Sequence, residues 1–148
     1  MPAPVPLLLI VEDNDEDYET TLRLLRKSKN ERHIQRCWHG EDVLDFLYRR
    51  NKYTAAQRPA VILLDLNLPG TDGREVLQEI KNDQALKAIP VVILSTSSNP
   101  VDIAMSYQNG ANSYMVKPVD FPSFAQAMQC FDDYWFHAVV LSQMREGG

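Results

Sequence analysis

The sequence predicts an α/β fold, a doubly wound five-stranded parallel sheet with helices on both faces, and three observations carry that prediction. Short β-branched or leucine-rich runs alternate with amphipathic stretches along the whole chain. Several of the runs are apolar at consecutive positions instead of every second one, as strands covered on both faces are. Helix start and stop signals fall between the runs, where the alternation needs them.

The elements follow in order. Leu7–Val11 is the first strand, and a helix from about Asp15 to Lys27 brings Tyr18, Leu22 and Leu25 to one side. Ile34–Trp38 is the second strand, followed by a helix carrying Val43, Leu44 and Leu47. The polar stretch Arg49–Pro59 reads as a surface loop longer than the usual connection. After the third strand, Val61–Leu64, Asp72 and Glu75 form a capping-box-like start to a helix with core face Val76, Leu77 and Ile80. After the fourth, Val91–Leu94, Asn99-Pro100 opens a helix that Gly110 closes, with Ile103, Ala104 and Tyr107 on a shared face. Ser113–Val116 is the fifth strand.

The last helix is expected from Phe121 to Met144, roughly 36 Å at 1.5 Å per residue, longer than the sheet it packs on. Phe124, Met128, Phe131, Trp135, Ala138 and Ser142 share one face, while Tyr134, Phe136, Val140 and Leu141 place apolar groups on others. Its end should project, and a projecting aromatic end marks an interface. A homodimer is expected through Phe131, Tyr134, Trp135, Phe136, Val139 and Val140, with 132–148 as the C-terminal extension and the face around the fourth helix and fifth strand contributing. The alternative is that the tail folds back over its own domain. Few residues follow Phe131, so no output domain is expected, and 1–148 reads as a single domain acting by contact.

Composition narrows the function classes. The 148 residues carry 15 Lys and Arg against 20 Asp and Glu, a net charge of −5, with no basic stripe to track a phosphate backbone. Nucleic-acid binding is disfavoured. No apolar run approaches the roughly 18 residues of a membrane span and no charged leader precedes one, so neither membrane nor export is expected and the chain is placed in the cytoplasm. Cys37 and Cys130 lack ligand spacing and read as two buried free thiols, while His33, His39 and His137 read as structural or surface residues.

The acids carry the chemistry. Glu12 and Asp13 follow the first strand and Asp65 the third, and ligands of open parallel sheets collect at the carboxyl ends of strands. Carboxylates about 4 Å apart repel by about 4 kcal/mol per pair at an effective dielectric of 20, so three together call for a cation. An oxygen-only set points to a hard divalent ion, Mg²⁺ keeping several waters, for which other divalent cations may substitute. Ser95 and Lys117 stand at the ends of the fourth and fifth strands, and acids, hydroxyl and ammonium together make a phosphoryl-transfer set. Taken singly, each residue has a plainer role as a cap, a turn or a solvated side chain.

Four motifs together, Ile10-Val11-Glu12-Asp13-Asn14, Leu63 to Gly70, Pro90 to Ser95 and Tyr114-Met115-Val116-Lys117-Pro118, resemble the receiver domain of two-component response regulators. The resemblance spans about Leu7 to Phe131 and implies a flavodoxin-like strand order 2-1-3-4-5. More narrowly, Arg58-Pro59, the helix start Asp72 to Leu77 and the aromatic tail are similar to the small stand-alone regulators that partner cyanobacterial phytochromes.

The resemblance implies roles residue by residue. Asp65 would accept a phosphoryl group from a sensor histidine kinase. Glu12, Asp13, Asp65 and the backbone carbonyl of Asn67 would hold Mg²⁺. Ser95 and Lys117 would bind phosphoryl oxygens, Tyr114 would rotate inward as Ser95 moves, and a cis peptide at Pro118 would set the lysine. Glu12 in place of the commoner Asp, and Ser95 in place of Thr, keep the needed oxygens. Such a protein is no enzyme in the ordinary sense, although it assists its own phosphotransfer and dephosphorylation, and its downstream partner is another protein.

Two other classes share the topology. An aspartate-nucleophile phosphatase would want a second Asp where Asn67 stands, and a flavin carrier would not place Glu12 to Asp17 where a phosphate must sit. A pseudo-receiver that never accepts phosphate would have no use for the complete set.

Overall fold

A computed structural model describes residues 4–142. Five parallel strands, β1 (Leu7–Val11), β2 (His33–Cys37), β3 (Val61–Leu64), β4 (Val91–Ser95) and β5 (Ser113–Val116), lie in the order β2-β1-β3-β4-β5. Helices α1 (Asp15–Arg26), α2 (Gly40–Leu47), α3 (Gly73–Asn82), α4 (Pro100–Gln108) and α5 (Phe121–Asp133) connect and cover them. The expected fold and strand order are those observed.

The consecutive apolar residues of β1, β3 and β4 serve both faces of the sheet. Leu9, Val11, Ile62, Leu64 and Ile93 meet Val43 and Phe46 of α2 and Val76, Leu77 and Ile80 of α3. Leu8, Ile10, Leu63, Val92 and Leu94 meet Leu25 of α1 and Met128 and Phe131 of α5. Alternation of side-chain direction along each strand therefore sorts one apolar run into two cores.

Each helix begins on a side-chain cap, worth about 1 kcal/mol where the cap residue is Ser, Thr, Asp or Asn. Asn14 accepts from the Asp17 amide, Asp72 from Arg74, Asn99 from Val101 and Asp120 from Ser123. His39 does the same for α2 through Nδ1, accepting from the Asp42 amide, which gives that histidine a structural place.

Several expectations are corrected. The strand β2 starts one residue earlier than its apolar run, because the His33 amide is taken by the Pro6 carbonyl at 2.8 Å. The long loop before β3 contains a 3-10 turn, Asn51–Tyr53, and packs inward: Tyr53 stands edge-on to Phe46 at 5.1 Å and donates to the buried Asp42 carboxylate at 2.7 Å. In α4 the buried residue is Ser106, while Ala104 and Tyr107 are exposed and Ile103 is half-buried. This helix lies over β5, an edge strand, and Tyr107 turns its hydroxyl to accept from the Tyr114 amide. Cys37 is buried but Cys130 is exposed, since α5 turns Met128 and Phe131 to the sheet and leaves Cys130 outward.

The tail departs most. The last helix passes into a π-helical turn, Tyr134–Ala138, and stops there instead of at Met144, with Val139 extended. Phe131 belongs to the chain's own core, and Trp135, Phe136 and Leu141 pack against the same cluster. Phe131 is thus spent within the domain, while Trp135 and Phe136 are half-covered by the core and keep part of the surface that the sequence assigned to an interface. The buried pair Arg32 Nε to Asp132 at 2.8 Å fastens the helix there, and the Arg32 guanidinium lies 5.9 Å from the Phe136 ring. Tyr134 and Val140 remain exposed and Val139 half-exposed, while the part of the extension at 143–148 lies outside the described residues. Among the described residues no helix is long and apolar enough to cross a membrane.

Candidate functional site

The site gathers at the carboxyl ends of β1, β3, β4 and β5. Backbone pairing continues past the strands: the Glu12 amide donates to Cys37 O at 3.1 Å, Asp65 to Val11 O at 3.2 Å, and Lys117 to Ser95 O at 2.7 Å. Each functional side chain is therefore carried by a backbone that the sheet already fixes.

The carboxylate of Asp65 is committed on both sides. Its Oδ1 accepts from the Asn67 amide at 3.0 Å and its Oδ2 lies 3.3 Å from Lys117 Nζ. A close approach of α3 supports it from below: a side-chain carbon on Gly73 would fall 2.4 Å from the Asp65 carbonyl oxygen, so only glycine fits there. Gly70 turns the same loop with φ +71.

Glu12, Asp13 and Asp65 each offer a carboxylate oxygen within 4.8 Å of the others, with Glu12 and Asp65 buried and Asp13 exposed. The donor set is oxygen alone, clustered and net negative, which fits a hard divalent cation. Lys117 supplies the opposing charge, with Nζ 2.7 Å from Glu12 and 3.3 Å from Asp17. Burial pushes the Glu12 carboxyl up to about 7, against the hydrogen bond and charge of Lys117 and with the charge of Asp65. For Lys117, burial works downward, but the Glu12 hydrogen bond and the charges of Asp65, Glu12 and Asp17 prevail and raise it. The ammonium stays charged.

Opposite the acids, Ser95 is fully buried, and its Oγ accepts from the Ser97 amide at 3.1 Å. Tyr114 is half-buried and its hydroxyl donates to the Ser97 carbonyl at 2.9 Å, so Ser95 and Tyr114 hold one loop from two sides. The Ser97 hydroxyl in turn donates to Asp102 at 2.7 Å, and Arg74 of α3 reaches the same carboxylate at 3.2 Å.

The structure thus brings together Glu12, Asp13, Asp65 and Lys117, with Ser95 at the neighbouring strand end joined to Lys117 through its backbone, Asn67 in the adjoining turn and Tyr114 one loop away. The expected cis peptide at Pro118 is corrected: there is none among the described residues. Lys117 reaches its carboxylates from the trans form, the ordinary preference of about 0.5–1 kcal/mol for a residue before proline, because the Ser95 pairing and the Glu12 contact already set its position. Sequence reading missed Asp17, whose place one helical turn after Asp13 was the available signal, and Arg36, whose role depends on a neighbouring strand.

Comparison with known proteins agrees with this geometry. A family model described as the response regulator receiver domain matches residues 8–129. Response regulator Rcp1 of Synechocystis sp. is 37% identical over 138 residues, covering 93% of this chain and 94% of that protein. The crystal structure of the Mn²⁺-bound form of Rcp1 superposes with a TM-score of 0.90 at 36% identity, covering 93% of this chain and 99% of that one. That of the phosphorylated cyanobacterial phytochrome response regulator RcpA gives 0.90 at 37% identity, covering 95% and 100%. The chain belongs to the response regulator receiver domain family, a signalling family and not one of ordinary enzymes.

Proposed function

We propose that this chain is a single-domain response regulator that takes a phosphoryl group from the phosphohistidine of a sensor kinase onto Asp65, and that the kinase is a phytochrome-type photoreceptor. The observation that carries the reading is the Asp65 carboxylate at the end of a buried strand, with Lys117 Nζ 3.3 Å away and the Glu12 and Asp13 oxygens within 4.8 Å. The likeness to Rcp1 and to the phytochrome regulator RcpA supports the choice of kinase.

In the transfer, an Asp65 oxygen forms the new O–P bond as the N–P bond breaks, and the electron pair of that bond returns to the imidazole of the donor. Glu12, Asp13, Asp65 and the Asn67 carbonyl would hold Mg²⁺, which would offset the charge of the phosphoryl oxygens. Lys117 pairs with one oxygen from a position set before the donor arrives, and the Ser95 hydroxyl turns to donate to another. With Ser95 turned to the phosphoryl group, the Ser97 loop loses one of its two holds, and Tyr114 moves inward as the loop shifts. The signal is a changed contact surface, read in the cytoplasm by a downstream protein, and the same site assists its own hydrolysis of the acyl phosphate.

The domain is one receiver over 1–148 with the tail as its accessory surface. The exposed Tyr134 and Val140 and the half-exposed sides of Trp135, Phe136 and Val139, together with the α4 and β5 face, are the contacts of a homodimer. Incubation with acetyl phosphate and Mg²⁺ should label the chain stoichiometrically and leave Asp65→Asn unlabelled. Acid-labile phosphate retained in that variant would remove Asp65 from the nucleophile's role.

A further inference from the structure

We infer that Arg36 is a positioning residue for the divalent-cation site, acting through the peptide that joins Glu12 to Asp13; the inference rests on the cation-site reading above. Asp13 is exposed, and no hydrogen bond or ion pair holds its carboxylate among the described residues. Its place therefore depends on its backbone. The Glu12 amide is secured by Cys37 O at 3.1 Å, and the carbonyl of the same residue, the oxygen of the Glu12–Asp13 peptide, accepts from Arg36 Nε at 3.1 Å. β2 thus holds both polar groups of the Glu12 backbone and so sets the plane from which Asp13 departs.

Arg36 is itself fixed on several sides. Its second nitrogen, NH2, lies 2.8 Å from Asp15, in the first turn of α1, and the guanidinium carbon sits 4.5 Å from the Tyr18 ring and 4.4 Å from the Trp38 ring. The Arg36 side chain is only 10% exposed. A planar, always-charged fork can meet a carbonyl, a carboxylate and two ring faces at once, and a lysine in its place cannot. Residues that orient metal ligands from outside the coordination sphere typically change affinity by 10- to 100-fold when removed.

The sign of the effect separates positioning from charge. Replacing Arg36 by a neutral residue removes a cation close to the site, so electrostatics alone would make Mg²⁺ bind more tightly. Positioning requires the opposite. The test is calorimetric titration of Mg²⁺ into the wild type, Arg36→Gln, Arg36→Lys and Trp38→Leu, the last removing a half-exposed ring without opening the core. We expect roughly tenfold weaker binding for both Arg36 variants and about threefold for Trp38→Leu. Labelling by acetyl phosphate should recover to within about twofold of wild type once Mg²⁺ is saturating, a split that general loss of folding would not produce. Should Arg36→Gln fail to fold, Trp38→Leu carries the test alone. Binding equal to or tighter than wild type in the folded variants would overturn the inference while leaving the site reading intact. A wild-type chain that took up no Mg²⁺ would overturn the site reading and this inference with it.

Discussion

Lowering the pH from 8 to 6 should weaken Mg²⁺ binding about tenfold, and the reason lies in one carboxyl group. Burial raises Glu12 from 4.5 to about 7 in the metal-free chain, more than Lys117 at 2.7 Å can reverse. A cation needs the carboxylate, so binding must displace the proton. With a midpoint near 7, about nine-tenths of the groups are ionised at pH 8 and about one-tenth at pH 6, whereas an ordinary glutamate would be ionised at both. Calorimetry in buffers of different ionisation enthalpy reads the affinity and counts the released protons, approaching one per ion at pH 6. The same shift has a sign for stability. The folded chain binds a proton that the unfolded chain has lost between about 4.5 and 7, so the metal-free protein loses stability from Glu12 as pH rises through that window, by about 3 kcal/mol once complete. Added Mg²⁺ should remove the loss. An affinity unchanged between pH 8 and pH 6, with no proton released, would show that the Glu12 carboxyl is already ionised at pH 6.

Lys117→Ala should bind Mg²⁺ more tightly, since the ammonium no longer competes for Glu12 and Asp65, yet should be labelled by acetyl phosphate roughly 100-fold more slowly; titration and labelling rates check the two halves. Tyr53→Phe removes a hydroxyl 2.7 Å from the buried Asp42 carboxylate and should cost about 1–3 kcal/mol in urea denaturation without changing Mg²⁺ affinity. Arg32→Ala leaves Asp132 buried without its 2.8 Å partner, at a cost of about 3–5 kcal/mol, and should expose Trp135 and Phe136 to quenchers as the tail detaches.

What was legible in the sequence was whatever local pattern and topology decide together. The bounds of β1 and β3 coincide with their apolar runs because burial on both faces leaves those strands no polar position, and those of the half-buried edge strand β5 coincide as well. β4 reaches Ser95 because its carbonyl pairs with Lys117, a partner that no periodicity announces. The acids, the hydroxyl and the lysine were legible for the same topological reason: a parallel sheet brings the ends of β1, β3, β4 and β5 to one edge, so residues far apart in sequence had to meet.

The illegible parts depend on contacts between elements. The tail reads as a continuous helix to Met144 because an apolar pattern does not reveal a π-helical turn, and the turn is held by Arg32 on Asp132, a pairing made across the α1–β2 connection. Arg36 reads as an ordinary polar residue of an edge strand until Tyr18, Trp38, Asp15 and the Glu12 carbonyl are placed around it. Asp17 sits in an acidic run that suggests only a helix start, and its contact with Lys117 comes from the distant β5.

Asp65 is the residue proposed to receive the phosphoryl group. Borohydride reduction of the chain after exposure to acetyl phosphate and Mg²⁺, followed by peptide mass mapping, locates the acyl phosphate directly. Homoserine is expected at position 65, present with Mg²⁺ and absent when the metal is chelated. Homoserine at another acidic position, or the same yield with the metal removed, would contradict it.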